Sequence, residues 1–486
     1  MANKKCPVAK KCSGCQLSNM TYEQQLEWKQ KDTEKLLGSF GKVSKIIGAD
    51  DPYNYRNKVQ AVFRSDRNGR IISGVYQSSR NGIVGIDSCM LDDKRADEII
   101  VGIRELLKSF KLHPYDEGTE RGFLRHVLVR VGKNTGEILV TLVGGNSMFP
   151  KKHDFVKALV KRFPDITTVT FSVNRTPEML LLGENNEVLY GEGYITDILC
   201  GKRFRISPHS FYQINHAQTE KLYDYAIKAA KLTKKDVLLD AYSGIGTIGI
   251  IASDYVKQVQ GIEYNASAVR DAVKNCHENG LTRNIAFNRG DAGEFLEKKA
   301  KLGTHYDAVI LDPARTGADR KFLNSLVKIA PERIVYISCN PATQARDLKT
   351  LTKKYTVTDI QPFDMFPHTR HVETVVLLSH KKPDSVINVK VEFGEGEGKV
   401  PLKAISERAE AYKPKERVTY KMIKEYIEAK YGFKVHTAYI AEVKRDLGLP
   451  MYDAPNAVEE LKQPRKHPTA EKVEAIKDAL KHFEVI

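Results

Sequence analysis

The chain has 486 residues, with 77 Lys and Arg against 61 Asp and Glu, a formal net charge of +16 and a pI near 9.2. This length predicts two to four domains that each bury a core, and the basic excess favours a polyanionic partner, first of all nucleic acid. The sequence shows neither a signal-peptide core nor a run of about 18 apolar residues, which argues against a secreted or membrane protein; we expect a cytoplasmic chain with reduced thiols and no membrane partner.

Three cysteines near the start, Cys6, Cys12 and Cys15, follow the pattern C-x5-C-x2-C, and the next cysteine is Cys89. Four thiolates can close around zinc or an iron–sulfur cluster, and spacing does not choose between them. The pattern is not the C-x3-C-x2-C of radical enzymes that cleave S-adenosylmethionine. The alternative is a set of unligated thiols. We assign residues 1–50 to this cysteine-rich, cluster-binding segment and a polar helix over 21–37.

Residues 51–217 mix strand and helix patterns and are predicted to form a central α+β domain that binds RNA. Asn68-Gly69 lies between alternating apolar runs and predicts a hairpin. A helix over 97–110 and strands over 125–132, 136–145 and 167–174 complete the region. The Arg and Lys residues of these strands suit a surface that faces RNA, although solvated faces of a sheet would carry them too.

From residue 218 to 382 apolar strands alternate with helical segments, which predicts a doubly wound parallel sheet. The last strand follows a connection too short for a crossover helix, so we expect it to be antiparallel. Such a sheet is typical of the Rossmann-like methyltransferase domain. The predicted strands are 236–240, 259–264, 284–290, 306–312, 333–338, 355–363 and 372–379.

Residues 383–486 differ in composition and are predicted to be a linker, over 393–416, and a small helical extension. Helices are expected over 418–432, 436–448 and 468–483. The first two have the proportions of a helix-turn-helix, and the extension could either read nucleic acid or serve as a packing module.

A glycine-containing loop follows the first strand of the predicted sheet, with Gly244 and Gly246 just after Asp240. Small residues let the backbone approach a ligand at the start of a helix. Glu263 ends the next strand, where a carboxylate can accept hydrogen bonds from both ribose hydroxyls, and Asp291 follows the strand after that. No G-x-x-x-x-G-K-[ST] motif occurs, so the loop favours the adenosyl group of S-adenosylmethionine over a nucleoside triphosphate.

Asp312, Cys339 and Glu373 are predicted to meet at the carboxyl edge of this sheet, where open α/β sheets bind ligands. A thiolate, a carboxylate and a methyl donor suit methylation of uracil at C5. Cys339 would add to C6, and Glu373 would remove the C5 proton afterwards so that the thiolate leaves. We expect a helix beginning after Pro341 to lower the pKa of the thiol.

Other interpretations remain for these residues. Cys339 could be an inert buried thiol, and Glu373 a surface carboxylate paired with Arg370. The chain could be an adenine amino-methyltransferase, although such enzymes use an Asn/Asp-Pro-Pro-aromatic loop and need no cysteine. It could also be an RNA-binding assembly factor with an inactive methyltransferase fold.

The set of motifs C-x5-C-x2-C, SPHSFYQIN, DAYSGIGTIGI, LDPARTG, SCNPAT and HVETVVLL resembles the RNA 5-methyluridine (uracil-C5) methyltransferases, in particular their 23S rRNA branch. The resemblance implies that Cys339 is the nucleophile and Glu373 the proton acceptor. It also implies a [4Fe–4S] cluster on Cys6, Cys12, Cys15 and Cys89. The methyl donor and uracil would be lined by Gln213, Tyr242, Glu263, Asp291 and Asp312, with Phe211 close by.

The same resemblance implies 23S rRNA as the substrate, most closely uridine 1939, with uridine 747 or tRNA uridine 54 as alternatives, and a monomeric enzyme. The target would be a single-stranded or loop uridine that leaves its stack. The sequence departs from the family in two places. Many rRNA members carry a small β-barrel before the cysteines, whereas Cys6 stands almost at the start here, and residues beyond about 385 lie outside the shared core.

Overall fold

The computed structural model describes residues 6–77, 82–175, 182–183, 186–381, 419–449, 467–483 and 485. The chain divides into two compact units, Met1–Asp384 and Ser385–Ile486. The predicted linker over 393–416 lies outside the described residues.

The first half of the larger unit is the predicted α+β region. Its elements are α1 (Tyr22–Leu37), β1 (Lys58–Ser65), β2 (Ile71–Tyr76), β3 (Ile83–Gly85), α2 (Lys94–Ser109), β4 (Leu124–Val131), β5 (Ile138–Gly144), α3 (Lys152–Arg162), β6 (Ile166–Val173), β7 (Asn186–Tyr190), β8 (Ile195–Leu199) and β9 (Lys202–Ile206).

Helix α1 begins where the sequence predicts, because Thr21 and Gln24 form a capping box at its start. The hairpin predicted around Asn68-Gly69 joins β1 and β2, and Gly69 has a φ of 75°, which glycine adopts without strain.

Strands β1 to β7 form one sheet in the order β3-β2-β1-β4-β5-β6-β7, antiparallel except for β5 and β6, which are joined through α3. One face of this sheet packs on α2 and α3, since Val59, Ala61 and Phe63 of β1 lie in the same core as Ile99 and Leu159. The opposite face carries the alternate residues of β1, beginning with Lys58.

The second half of the larger unit is the predicted doubly wound sheet. Its elements are α4 (His216–Ala229), β10 (Val237–Ala241), α5 (Thr247–Ala252), β11 (Gln258–Glu263), α6 (Ala266–Glu278), β12 (Ile285–Arg289), α7 (Ala292–Lys301), β13 (Ala308–Leu311), α8 (Arg320–Ile329), β14 (Arg333–Ser338), α9 (Pro341–Leu351), β15 (Tyr355–Phe363) and β16 (Glu373–His380).

These strands follow the order β12-β11-β10-β13-β14-β16-β15, and all predicted strands are present. The first five are mutually parallel, and β16 is antiparallel to both β14 and β15, as the short connection before it predicted. Successive residues enter different cores: Leu238 packs on one face of the sheet and Leu239 on the other. Burial on both faces explains why these strands read as continuous apolar runs.

The smaller unit contains the three predicted helices, α10 (Tyr420–Tyr431), α11 (Thr437–Asp446) and α12 (Ala470–His482). They share a core of their own that includes Ile427, Ile440 and Ile476. A role in nucleic-acid binding or in packing stays a prediction for this unit. Among the described residues of the whole chain, no helix is long and apolar enough to cross a membrane.

Candidate active site

Cys339 and Glu373 are brought together by the pairing of β14 with β16. Ser338 ends β14 opposite Thr374 in the antiparallel register, so the next pair of positions along the ladder is Cys339 and Glu373. The parallel strands β10 to β13 end at this same edge of the sheet. Residues 34 positions apart in sequence therefore become neighbours, as the chemistry predicted from the sequence requires.

Glu373 lies inside the protein, with only 4% of its surface exposed, and its Oε2 has no hydrogen-bond partner among the described residues. Burial, followed by the nearby Asp312 carboxyl, raises the pKa of Glu373 well above its ordinary value, while Arg315 opposes the shift. The alternative of a surface carboxylate is wrong, because Glu373 is buried, and the Arg370 guanidinium lies over the ring of Trp28. A buried carboxyl oxygen without a partner is suited to receive a proton from a ligand.

The Cys339 thiol is half-buried, and burial raises its pKa to about 12, with further contributions from Glu373 and Asp312. Helix α9 does begin at Pro341, capped by the Asn340 side chain. The expected lowering of the thiol pKa by this helix is nevertheless not observed. Two carboxyl groups and loss of solvent outweigh the helix end, since both disfavour a second negative charge.

Asp312 follows β13; its amide donates to the Ala241 carbonyl of β10, and its carboxyl lies near the Cys339 thiol. It is half-buried, and loss of solvent raises its pKa to about 7. Cys339, Glu373 and Asp312 thus form a cluster whose anionic states destabilise one another. A cationic ligand bound among them would relieve this repulsion, because an opposite charge favours the ionised form of each group.

The loop after β10 makes a tight turn at the same edge. Tyr242 adopts φ 62° and Gly244 φ 55°, both in the left-handed region. Gly246 has φ 83° and is the N-cap residue of α5; a Cβ placed there would lie 2.6 Å from the ring of Phe287. The Tyr242 hydroxyl is buried without a hydrogen-bond partner in the described structure. A close backbone turn and an unpartnered hydroxyl suit a bound ligand.

Glu263 at the end of β11 binds the backbone of this loop. One of its carboxylate oxygens accepts from the Gly244 amide at 3.0 Å and the other from the Asn265 amide at 2.7 Å. Each oxygen keeps a further lone pair for a ribose hydroxyl. Asp291 is exposed at the start of α7, where it accepts from the Glu294 amide at 2.9 Å. The two carboxylates therefore position backbone at the ends of neighbouring strands.

The segment 207–213 approaches the site from the central region. Gln213 is half-buried, and its carbonyl accepts from the Asn57 side chain at 3.0 Å. Phe211 is 68% exposed, an unusual position for a large apolar ring. The Arg130 guanidinium donates to the carbonyls of Pro208 and Ser210, which fixes the segment against the central sheet.

Two polar features of the site were not predicted. Asp240 is buried and loss of solvent raises its pKa to about 7; one oxygen accepts from the Gly249 amide at 2.8 Å, while the other has no partner among the described residues. Arg315 lies at the mouth of the site and contacts Nδ1 of His371 at 2.9 Å. The position of Asp240 at a strand end was a usable signal, whereas the Arg315 contact depends on a loop 56 residues away.

The amino-terminal cysteines lie close to one another. Burial raises the pKa of Cys15 to about 11, and the neighbouring Cys12 and Cys6 thiols add to the shift. Burial likewise raises the pKa of Cys89 to about 12, and the Arg56 guanidinium lies near both Cys15 and Cys89. In the part of the chain that the structure describes, no group of three or more His, Cys, Asp or Glu side chains is arranged around a single metal ion.

Comparison with known proteins agrees with this geometry. Residues 21–381 match the model of the tRNA (uracil-5-)-methyltransferase family. An RNA methyltransferase of Halalkalibacterium halodurans is 39% identical over 382 residues, covering 77% of this chain and 83% of that protein. One from Staphylococcus aureus is 38% identical over 381 residues, covering 77% of this chain and 84% of its own length.

A solved structure is also similar. The tRNA (uracil-54, C5)-methyltransferase of Pyrococcus abyssi, in complex with S-adenosyl-L-homocysteine, superposes with a TM-score of 0.63 at 29% identity. The match covers 77% of this chain and 87% of the Pyrococcus protein. The α/β methyltransferase fold predicted from the strand pattern is thereby confirmed.

The raised pKa of Asp312 predicts a pH-dependent gain in stability for Asp312→Asn. The folded state keeps this proton up to about pH 7, whereas the unfolded chain loses it near pH 4, so the parent loses stability as pH rises between these values. The advantage of the variant in free energy of unfolding should therefore grow by about 2 kcal/mol from pH 5 to pH 7 and then level off.

Urea unfolding at several pH values measures this difference, with the exposed Asp165→Asn as a matched substitution. A variant advantage that is the same at pH 5 and pH 8 would contradict the assignment of a proton to Asp312.

Proposed function

Because this chain belongs to the tRNA (uracil-5-)-methyltransferase family, and is thus an S-adenosylmethionine-dependent RNA methyltransferase, we propose that it methylates C5 of a uridine in 23S rRNA by covalent catalysis. The observation that carries the mechanism is the buried, unpartnered carboxyl of Glu373 beside Cys339 at the ligand edge of the sheet. An assembly factor with an idle site would gain nothing from such a pair, whose anionic forms repel each other.

The reaction begins with the thiolate of Cys339, which forms a bond to C6 of uracil. The electron pair of the C5=C6 double bond moves towards O4, and C5 becomes a nucleophile. C5 then takes the methyl group from the sulfonium of S-adenosylmethionine, and S-adenosylhomocysteine is the leaving group. At this stage C5 carries both the new methyl group and its original proton.

Glu373 completes the reaction by accepting the C5 proton. The electrons of the C5–H bond re-form the C5=C6 double bond, the bond between Sγ and C6 breaks, and Cys339 leaves as a thiolate. The pKa of Glu373 is raised by burial, which makes its carboxylate a stronger base than an exposed one. Positive charge on the methyl donor favours the anionic forms of Cys339, Glu373 and Asp312 when the reaction starts.

The donor is proposed to lie in the loop after β10. Tyr242, Gly244 and Gly246 would surround its adenosyl and methionine parts, Glu263 and Asp291 would face the ribose and adenine, and Gln213 and Asp312 would lie towards the methyl group and the base. The support is the left-handed turn with its unpartnered tyrosine hydroxyl, which fits a ligand in close contact with the backbone.

Uridine 1939 of 23S rRNA is the proposed target, because the motifs most closely resemble the 23S rRNA branch and the amino-terminal cysteine motif argues against the tRNA member of the family. Uridine 747 is a second rRNA position. Uridine 54 of tRNA is favoured instead by the name of the Pyrococcus abyssi structure. We further propose that the enzyme acts in the cytoplasm as a monomer.

The first test of the mechanism uses RNA that contains 5-fluorouridine. Fluorine at C5 cannot be removed as a proton, so the parent protein and S-adenosylmethionine should give a stable protein–RNA adduct on a denaturing gel. Cys339→Ala should give none. Glu373→Gln should accumulate an adduct with ordinary uridine RNA, because addition and methylation proceed while proton removal fails.

Fragments of 23S rRNA around positions 1939 and 747 and a tRNA transcript serve as competing substrates. Methyl transfer that survives in Cys339→Ala would overturn the covalent mechanism, and absence of transfer to any of the three RNAs would favour an assembly factor. Transfer to the tRNA alone would replace the rRNA proposal by the tRNA one.

The four cysteines are proposed to hold a [4Fe–4S] cluster, as the motif implies. Their support in the structure is the proximity of Cys6, Cys12 and Cys15 and the half-buried Arg56, whose charge would offset the anionic cluster. Four thiolates on iron are the usual ligand set of such a cluster. Its role would be structural, because the methyl transfer needs no electron.

Protein purified without oxygen should be brown and carry about four irons per chain. Cys15→Ser should lose most of this iron, whereas Cys200→Ser, a half-buried cysteine far along the chain, should retain it. Zinc at one ion per chain in metal analysis would overturn the cluster.

The central sheet is proposed to bind RNA on the face opposite α2. Lys58 and Gln60 of β1 share this face with Tyr76, which is 50% exposed and lies 6.2 Å from the His126 ring. Asn57, next to Lys58, binds the carbonyl of Gln213, so the face continues into the active site. A basic and aromatic surface of this kind suits single-stranded RNA on one side of the target uridine.

Tyr76→Ala should weaken RNA binding about tenfold, because the loss of one stacked base costs about 1–3 kcal/mol. Tyr255 provides the control: it is 51% exposed but lies just before β11, at the opposite edge of the methyltransferase sheet. Equal affinities of the Tyr76→Ala and Tyr255→Ala variants in a fluorescence titration would contradict the proposed face.

A further inference from the structure

The position of Glu373 depends on the loop that precedes it. Strand β15 ends at Phe363 and β16 begins at Glu373 itself, so the segment 364–372, here called the base loop, leads directly into the proposed base. Glu373 is the first residue of its strand and pairs with Phe363 of β15, so its place depends on the preceding chain as well as on the sheet. What fixes the base loop therefore helps to fix the carboxyl.

Helix α1 supplies a buried charge to the start of the base loop. The Lys29 ammonium and the Asp364 carboxylate lie 2.5 Å apart, and both side chains are 0% exposed. Lys29 also donates to the carbonyl of Phe366 at 3.1 Å. A buried ion pair adds little to stability, since the loss of hydration offsets the attraction, but it defines one geometry and penalises others.

One turn earlier on α1, Gln25 binds the middle of the base loop. Its Oε1 accepts from the His368 amide at 2.8 Å, and its Nε2 lies 3.2 Å from Nδ1 of the same residue. His368 is buried and has φ 68°, a left-handed conformation that residues other than glycine seldom adopt. The paired contacts of one side chain with both backbone and ring hold this unfavourable turn in place.

Gln25 and Lys29, here called the two tethers, lie on the same side of α1, because positions 25 and 29 are one helical turn apart. Chain on either side of the helix adds two contacts: before it, the Leu17 amide donates to the His368 carbonyl at 3.0 Å, and after it, the Tyr55 hydroxyl donates to the Pro367 carbonyl at 3.1 Å. The segment that follows Cys15 thus contacts the base loop through Leu17, Gln25 and Lys29. This contact gives the cysteine-rich segment a direct connection to the catalytic edge.

We propose that Gln25 and Lys29 are positioning residues for proton removal, which hold the base loop so that the Glu373 carboxylate meets the C5 proton of the methylated adduct. This inference rests on the proposed function. Neither residue touches the substrate; both act through Glu373.

The effect falls mainly on one step because Cys339 is held chiefly by β14 and the start of α9. Asn340, next to it, caps α9 and donates to the Arg315 carbonyl at 3.1 Å; the Arg315 side chain contacts His371 of the base loop, but the carbonyl that binds Asn340 does not. Loosening the base loop would leave addition of the thiolate and methyl transfer in place. Elimination alone would slow, and the covalent intermediate would accumulate.

Two independent changes test the tethers. Gln25→Leu removes both contacts with His368 at similar side-chain volume. Lys29→Met combined with Asp364→Leu replaces the ion pair by apolar groups, which leaves no unpaired buried charge. Gln30→Leu is the matched control: Gln30 also lies on α1 and makes two backbone contacts, with Ser44 and Ile46, but none with the base loop.

Each variant is incubated with S-adenosylmethionine and ordinary uridine RNA. Denaturing gels measure the fraction of protein bound covalently to RNA, and the rate of product release is measured in the same reactions. Both tether changes should raise the adduct fraction at least tenfold and lower kcat at least tenfold, and KM for RNA should fall in proportion, so that kcat/KM stays within twofold of the parent. Gln30→Leu should resemble the parent. Thermal melting and donor binding identify any variant that fails to fold.

A fall in activity without accumulation of adduct, in either folded tether variant, would overturn the positioning role and leave a purely structural one. Parent-like kcat and adduct fraction in both would also overturn it. The proposed function has its own readout: if the parent forms no adduct with 5-fluorouridine RNA, covalent catalysis itself fails, whatever the tether variants do.

Discussion

The antiparallel pairing of β16 with β14 is the constraint on which the active site depends. It places Glu373 at the position opposite Cys339 on an edge where all neighbouring strands are parallel. A parallel last strand would begin at the far edge of the sheet and carry its first residue away from the thiol. Reversal of one strand therefore allows two segments to supply a nucleophile and a base to the same side of the sheet.

This placement has an electrostatic consequence. Cys339, Glu373 and Asp312 are forced into a space with little solvent, and the pKa of each is raised, first by burial and, for the thiol and the glutamate, by the neighbouring carboxyls. Burial in the isolated protein thus favours the protonated forms of these groups. A cationic methyl donor supplies the positive charge that Cys339, Glu373 and Asp312 lack. Formation of the thiolate is therefore linked to binding of the donor.

Parts of the larger unit outside the methyltransferase sheet also contact residues at this edge. The central region presents a basic and aromatic face that continues through Asn57 to Gln213, and helix α1 fixes the loop before Glu373 through Gln25 and Lys29. The methyltransferase sheet alone would contain the donor loop, Cys339 and Glu373, yet it would lack these contacts. The amino-terminal segment and the catalytic edge are parts of one polar network.

Sequence alone determined the elements with strong local signals. The strands buried on both faces, the reversal of the last strand, the capping box of α1 and the three helices of the smaller unit follow from apolar periodicity, connection length and turn residues. The conjunction of motifs also identified the family. The strand ends predicted that Asp312, Cys339 and Glu373 would share an edge, since the topology of such sheets is restricted.

Tertiary structure decided the pKa of the thiol and the long-range polar contacts, because both depend on distances between groups and on their exposure to solvent. The thiol pKa was predicted to fall because the helix after Pro341 is visible in the sequence, but burial and two carboxyls from other strands raise it instead. The contacts of Gln25 and Lys29 with residues more than 330 positions away could not be read from a polar helix pattern. Local sequence specifies where a helix or strand forms, whereas ionisation and long-range polar contacts depend on which surfaces meet and how much water they exclude.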